Sequence, residues 1–338
     1  MLGSLLVGCG QPSSTQTSQT PDAETQTSQT PDAETPTADI TEDISQRGGT
    51  LRIISMADVN SLGVPTKMMS PEDGIQCRPA LETLARYDDQ GLAVPYLAES
   101  WKEDAANKTI TMKLRQGITF HDGTAFNAEA VKWNMDLNIT QSKRGFGFVT
   151  SVDVIDEYTI KINFKQWDNT FLNNLTSFQG TQISPEAYKK NGEEWAIKNP
   201  VGTGPFKFVS WQRDANKVFE RYDNYWQEGK PYLDKIEFII IADPTVQIAA
   251  FMKKEGNLVT NISLKDAADL KNNKEYAIIQ QSIGGHWHGL YPESINPDSP
   301  FNNLKVRQAT AYAIDRETIN DSILRGLGCP TNQLTGTT

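Results

Sequence analysis

Apolar and polar positions alternate with period two in four stretches of the chain, and each stretch predicts a strand. Gly48-Gly49-Thr50-Leu51-Arg52-Ile53-Ile54 reads as a first strand entering a core. Over Lys108–Leu114, Ile110, Met112 and Leu114 share one face while Thr109, Thr111 and Lys113 take the other. Thr159–Phe164 repeats this, with Ile160, Ile162 and Phe164 opposite Thr159, Lys161 and Asn163. Lys235–Ile241 sets Ile236, Phe238 and Ile240 on one face and then turns apolar on both, as a buried strand would. Between these strands the period lengthens. Asn127 is placed to cap a helix with Glu129 in its first turn and Val131, Met135 and Ile139 at i+4 spacing. Lys305–Ile314 carries Val306, Ala309, Thr310 and Ala313 on one stripe. Asp315 caps a second short helix with Ile319 and Ile323, ended by Gly326, Gly328 and Pro330. Strands and helices mixed without a strict βαβ cadence predict α/β or α+β lobes, and pattern alone leaves both open.

The first 46 residues follow a different rule. They hold no Lys or Arg but seven acids: Asp22, Glu24, Asp32, Glu34, Asp39, Glu42 and Asp43. The chain of 338 residues has a formal charge of −10, from 32 bases and 42 acids, so residues 47–338 keep 35 acids against 32 bases, a net of −3. The acidity belongs largely to the tail. Thr15–Glu24 (TQTSQTPDAE) recurs unchanged at Thr25–Glu34. So little apolar surface cannot offset the entropy of ordering the backbone, and residues 10–46 are expected to be a disordered Ser/Thr/Gln/Pro tether. As a flexible coil it spans roughly 33 Å. Ahead of it, Leu6-Val7-Gly8-Cys9 fits the lipobox of a bacterial lipoprotein, with residues 1–9 as a shortened signal peptide lacking a basic start. Cys9 is then the site of lipid attachment, anchoring the protein to the outer face of the cell membrane or in the periplasm.

Composition narrows the chemistry. The absence of a basic excess argues against a nucleic-acid binder. No run of 18 apolar residues is present to form a membrane-spanning helix. Three cysteines exclude a disulfide-dense scaffold; Cys77 and Cys329 either pair or stay as thiols, and spacing does not decide which. Phosphate-loop, dinucleotide and nucleophile-elbow signatures are missing, as is a His-Glu-x-x-His pair. The three histidines are His121, His286 and His288. His121-Asp122-Gly123 lacks a recognisable nucleophile and reads as a turn between a strand and the Asn127 helix. His286-Trp287-His288 can set two imidazoles on one strand face, which keeps a metal role open. Aromatic side chains near predicted loops (Trp211, Tyr225, Trp226, Trp287, Tyr291) would suit a cleft that grips organic solutes. No enzyme and no cofactor are expected.

Ordered blocks along residues 48–330 carry a resemblance. They include Gly48-Gly49-Thr50-Leu51, Leu81-Glu82-Thr83-Leu84, Pro95-Tyr96-Leu97-Ala98-Glu99-Ser100-Trp101 and Arg115-Gln116-Gly117-Ile118-Thr119-Phe120-His121-Asp122-Gly123-Thr124. Val201-Gly202-Thr203-Gly204-Pro205-Phe206, Tyr225-Trp226, Gly229-Lys230-Pro231-Tyr232-Leu233-Asp234 and Val306-Arg307-Gln308-Ala309 follow. In these blocks the chain resembles the bacterial extracellular solute-binding proteins of family 5, the peptide- and nickel-type substrate-binding subunits of ABC importers.

The resemblance implies a periplasmic-binding-protein-like type II clamp of mixed α/β structure. Residues 47–77 and 184–283 would form the main part of the first lobe, and 78–183 an inserted subdomain. Residues 284–338 would open a second lobe that is incomplete in this chain, so the cleft is expected to lack one jaw. It further implies capture of a dipeptide or oligopeptide and delivery to permease subunits with their ATPase, by a monomer. Ser55, Met56 and Ala57 after the first strand, and His286, Trp287, His288 and Tyr291 at the crossover, are the ligand-binding candidates. The alternatives are a nickel-type metal-chelate binder and a surface lipoprotein without a transport role.

Overall fold

The computed structural model describes residues 47–141, 145–271, 273–279 and 291–326. Cys9, the tether, His286, Trp287, His288 and Cys329 lie outside the described residues. The chain opens with strand β1 (Thr50–Ser55), whose last three residues are buried. A loop leads to helix α1 (Pro71–Cys77), which starts on a reciprocal capping box between Ser70 and Asp73. Short strands β2 (Glu82–Thr83), β3 (Ala85–Tyr87) and β4 (Ala93–Pro95) precede β5 (Ala98–Asp104) and β6 (Thr109–Leu114). Helix α2 (Ala128–Thr140) starts on the predicted cap, with the Asn127 side chain accepting from the Ala130 N–H. Then come β7 (Val149–Asp156) and β8 (Thr159–Phe164), short helix α3 (Phe171–Asn174), β9 (Thr181–Gln182), and helices α4 (Pro185–Asn191) and α5 (Glu193–Lys198). Strands β10 (Phe206–Gln212), β11 (Asn216–Arg221) and β12 (Lys235–Ile240) are followed by α6 (Pro244–Met252), β13 (Leu258–Val259) and α7 (Leu264–Lys271). Helices α8 (Leu304–Ala313) and α9 (Arg316–Ser322) close the described chain.

Two larger sheets organise these elements, beside the two-stranded pairs β2-β9 and β3-β4. One is antiparallel, in the order β5-β6-β8-β7, and lies wholly within residues 98–164. Its alternation is the predicted one: Ile110 pairs with Ile162 and Met112 with Ile160, and all four are fully buried. Val131 and Met135 of α2 belong to the same core, with Phe120, Phe126 and Phe171. The other sheet has the order β10-β11-β12-β1-β13, with β1 parallel to both neighbours and β10 to β12 antiparallel. Its core runs through Phe208, Phe219 and Phe238 in edge-to-face contacts at 5.8 and 6.1 Å.

Two expectations from pattern are adjusted. In β12 only Phe238 is buried, and Ile236, Ile239 and Ile240 are half-buried rather than enclosed on both faces. Helices α8 and α9 form where predicted, the second on an Asp315 cap that accepts from the Thr318 N–H. Neither has a buried residue, so among the described residues their apolar stripes meet no core. Cys77 is a free, buried thiol at the end of α1 that donates to the Gly74 carbonyl, and burial pushes its pKa up to about 12.

Candidate functional site

Strand β1 delivers its carboxyl end between β12 and β13, the edge where open α/β sheets leave room for ligands. Ser55 closes the strand. Its carbonyl accepts from the Ile241 N–H at 3.0 Å, and its hydroxyl meets Thr260 Oγ1 at 3.3 Å. Met56 and Ala57 follow, both exposed. Among the described residues no acceptor meets the main-chain N–H of either one. Asn261, in the left-handed region at φ 57°, reaches Glu72 Oε1 at 3.3 Å. It also borders an apolar cavity of about 310 Å³ between α6, β13 and α7, lined by Phe251, Leu258 and Tyr276.

The loop that carries Met56 and Ala57 is held from behind. Gln76 Nε2 donates to the Ala57 carbonyl at 3.0 Å. Asp58 turns its carboxylate inward, with only 3% of the side chain exposed. It accepts from the Val59 N–H at 2.8 Å, Trp211 Nε1 at 3.0 Å and the Asp214 N–H at 2.7 Å, and it pairs with Lys217. Lys217 is fully buried on the core face of β11 beside Phe219, and its ammonium lies 5.3 Å from the Trp211 ring. Burial opposes ionisation of Asp58, but Lys217 and the N–H donors outweigh it and hold the carboxyl below its ordinary range. Arg213 donates to the Val59 carbonyl at 3.0 Å. Asp73, buried at the start of α1, takes the N–H groups of Asn60 at 2.6 Å and Ser61 at 3.3 Å.

A third buried carboxylate sits where the two larger sheets meet. Glu82 on β2 accepts from Tyr96 and Tyr225 hydroxyls, each at 2.6 Å, from Trp226 Nε1 at 2.9 Å and from Thr203 at 2.8 Å. Every donor is neutral, and burial pushes its carboxyl above the usual range despite the four hydrogen bonds. The Gly-Thr-Gly turn explains the geometry. A Cβ on Gly202 would fall 2.3 Å from the Ala80 carbonyl oxygen, so only glycine allows the approach that presents Thr203 to Glu82.

His121 belongs to the same seam. Its Nε2 meets the Gly204 carbonyl at 2.8 Å and its ring stands edge-on to Tyr222, while burial lowers its pKa to about 4. Asp122 bonds Thr124 and Ser184, and Gly123 turns at φ 84°, the predicted turn. Trp211, Tyr225 and Trp226 are therefore half-buried, with the N–H or hydroxyl of each committed to a buried carboxylate. Trp211 lies within β10 and not in a loop. Of the ligand candidates, Ser55, Met56 and Ala57 stand together at the sheet edge. Tyr291 is exposed, with no hydrogen bond or ring contact among the described residues. Lys217 and Gln76 carry no local signal, because their partners lie 159 and 19 positions away in the chain; Asp58 bonds the adjacent Val59 N–H and Asp73 its own helix cap, but their remaining loop and hairpin partners lie 12 to 159 positions away.

The family model of the bacterial extracellular solute-binding proteins, family 5 (middle), matches residues 93–338. The chain belongs to that family. A glutathione-binding protein GsiB from Pectobacterium atrosepticum is 33% identical over 250 residues, covering 72% of this chain and 48% of the relative. The chain thus spans about half the length of the curated relatives it matches. A Helicobacter pylori periplasmic binding protein, DppA, solved with the peptide STSA, superposes with a TM-score of 0.67 at 24% identity, over 83% of this chain and 60% of that one. NikA from Brucella suis, solved with Fe(III)-EDTA, gives a TM-score of 0.67 at 25% identity, over 82% and 57%. The fold of this family 5 chain is the mixed α/β architecture of type II periplasmic binding proteins. No helix among the described residues is long and apolar enough to cross a membrane.

Proposed function

We propose that this family 5 chain captures short peptides outside the cytoplasm and hands them to an ABC permease. The observation that carries this reading is the pair of main-chain N–H groups at Met56 and Ala57 that meet no acceptor among the described residues, set at the carboxyl edge of the parallel strands. Adjacent N–H groups donate to a ligand carbonyl or carboxylate, and a peptide offers a carbonyl at every residue and a carboxylate at its end. The named ligands of GsiB and DppA, glutathione and a tetrapeptide, support a peptide over other solutes.

In this reading, residues 47–77 with 184–283 form the main part of the first lobe, 78–183 its inserted subdomain, and 284–338 open the second lobe. The five-stranded sheet, drawn from 50–55 and 206–259, supports the division. Closure of the lobes on the ligand selects the form that docks on the permease. His286, Trp287, His288 and Tyr291 meet the ligand from the crossover. Cys9 carries the lipid, and the tether lets the monomer reach its permease.

Isothermal titration of the full chain with Ser-Thr-Ser-Ala, reduced glutathione and Ni(II)–histidine tests the reading. Saturable binding of either peptide supports it. Heat from the nickel complex alone, abolished by His286→Ala with His288→Ala, replaces it with the metal-chelate reading. No binding of any of the three overturns it.

A further inference from the structure

We infer that Asp58 and Lys217 are positioning residues: their buried ion pair fixes the loop after β1 so that the Met56 and Ala57 N–H groups face a ligand. This deepens the peptide-binding reading and rests on it for the ligand.

Lys217 occupies a core position. Along Asn216–Arg221 burial alternates, and Lys217 shares the inward face with Phe219. A side chain that forms cores would serve stability there at least as well. Burying two charges costs several kcal/mol per ion, and replacing a buried pair with apolar groups is often neutral or stabilising. What the pair supplies is direction. Asp58 follows Met56 and Ala57, and its buried carboxylate takes the Val59 N–H and the β10–β11 hairpin, with Arg213 Nε 3.7 Å away at the surface. Lys217 and Trp211 hold it from the β10–β11 hairpin, and the Asp214 N–H holds it from the tip of that hairpin. Arg213 then takes the Val59 carbonyl, and Asp73 takes Asn60 and Ser61. With the backbone pinned on the inner side from Ala57 to Ser61, the main-chain N–H groups of Met56 and Ala57 meet no acceptor among the described residues. Such preorganisation removes the ordering cost that a mobile loop would pay on binding.

The Asp58→Asn/Lys217→Met double variant removes both charges without leaving either one buried alone. Amide hydrogen exchange at Asn60 and Ser61, whose bonds go to Asp73 and are untouched by the substitutions, reads the loop without any ligand. Titration with Ser-Thr-Ser-Ala and with reduced glutathione reads the consequence. The expected result is an unchanged melting temperature within a few degrees, faster exchange at both amides, and affinity weakened about tenfold. Trp211→Phe, which removes a single donor to Asp58, gives the same changes on a smaller scale and serves if the double variant fails to fold. Unchanged exchange at Asn60 and Ser61 in the variants overturns the inference, whatever happens to affinity. Wild-type chain that binds neither peptide overturns the peptide reading, while the exchange comparison still decides whether the pair holds the loop.

Discussion

Two regions of this molecule bury a carboxylate, and they do so by opposite means. At the seam between the sheets, Glu82 is met by four neutral donors and no cation, and burial raises its pKa. Behind the loop after β1, Asp58 is met by Lys217 and three N–H groups, and its pKa falls. A buried acceptor met by four neutral donors is a rivet: it joins Tyr96, Thr203, Tyr225 and Trp226 whatever lies outside. A carboxylate held charged by a buried ammonium is specific about geometry, since the charge tolerates one arrangement only. The first suits a structural seam, the second a loop held in one conformation, as the proposed ligand contact requires.

The comparison can be broken at either end. Glu82→Ala strips the acceptor from four donors, one buried and three half-buried, and the expected loss is the largest, about 4 kcal/mol in urea unfolding. Lys217→Ala leaves Asp58 charged without its buried partner, with only the half-exposed Arg213 guanidinium 3.7 Å away, and is expected to cost about 3 kcal/mol, whereas Asp58→Asn with Lys217→Met stays within about 1 kcal/mol of wild type. Equal costs for the single and the double change would show that the ion pair is not what the region depends on.

The pH dependence sharpens the contrast. Glu82 has a folded pKa above its ordinary 4.5, so its contribution is fully present below 4.5 and declines as pH rises through the folded value. Asp58 has a folded pKa below its ordinary 3.8, so its contribution is present above 3.8 and is lost as pH falls through the folded value. Unfolding measured from pH 3 to 7 should therefore show the Glu82→Gln deficit shrinking toward neutrality and the Asp58→Asn deficit growing. Parallel profiles would erase the distinction. The smallest effect is expected from the exposed Lys132–Asp136 pair on α2, where Lys132→Ala costs about 0.4 kcal/mol in the same measurement.

Much of the fold was legible in the sequence, because it rests on local periodicity. The alternations at 109–114 and 159–164 became the paired, buried faces of β6 and β8, and Asn127 and Asp315 cap the helices their positions foretold. Strand β5 went unread because Glu99, Ser100, Lys102 and Glu103 expose most of it and leave one apolar end to pack. The site was half legible. Ser55, Met56 and Ala57 follow from the end of a first strand. The devices that hold them do not, since Lys217 within Asn-Lys-Val-Phe reads as a solvated lysine until β11 turns it inward. Trp211, Tyr225 and Trp226 misled for the same reason: an aromatic near a turn looks available, and only the tertiary fold supplies the carboxylate that claims its N–H or hydroxyl.

The central claim is that a peptide meets the main chain just beyond β1. Amide exchange at Met56 and Ala57, followed with and without saturating Ser-Thr-Ser-Ala, tests it directly. Both amides are expected to exchange freely in the unliganded chain and to gain protection in the complex. Peptide binding that leaves both unprotected would place the ligand elsewhere and contradict the account.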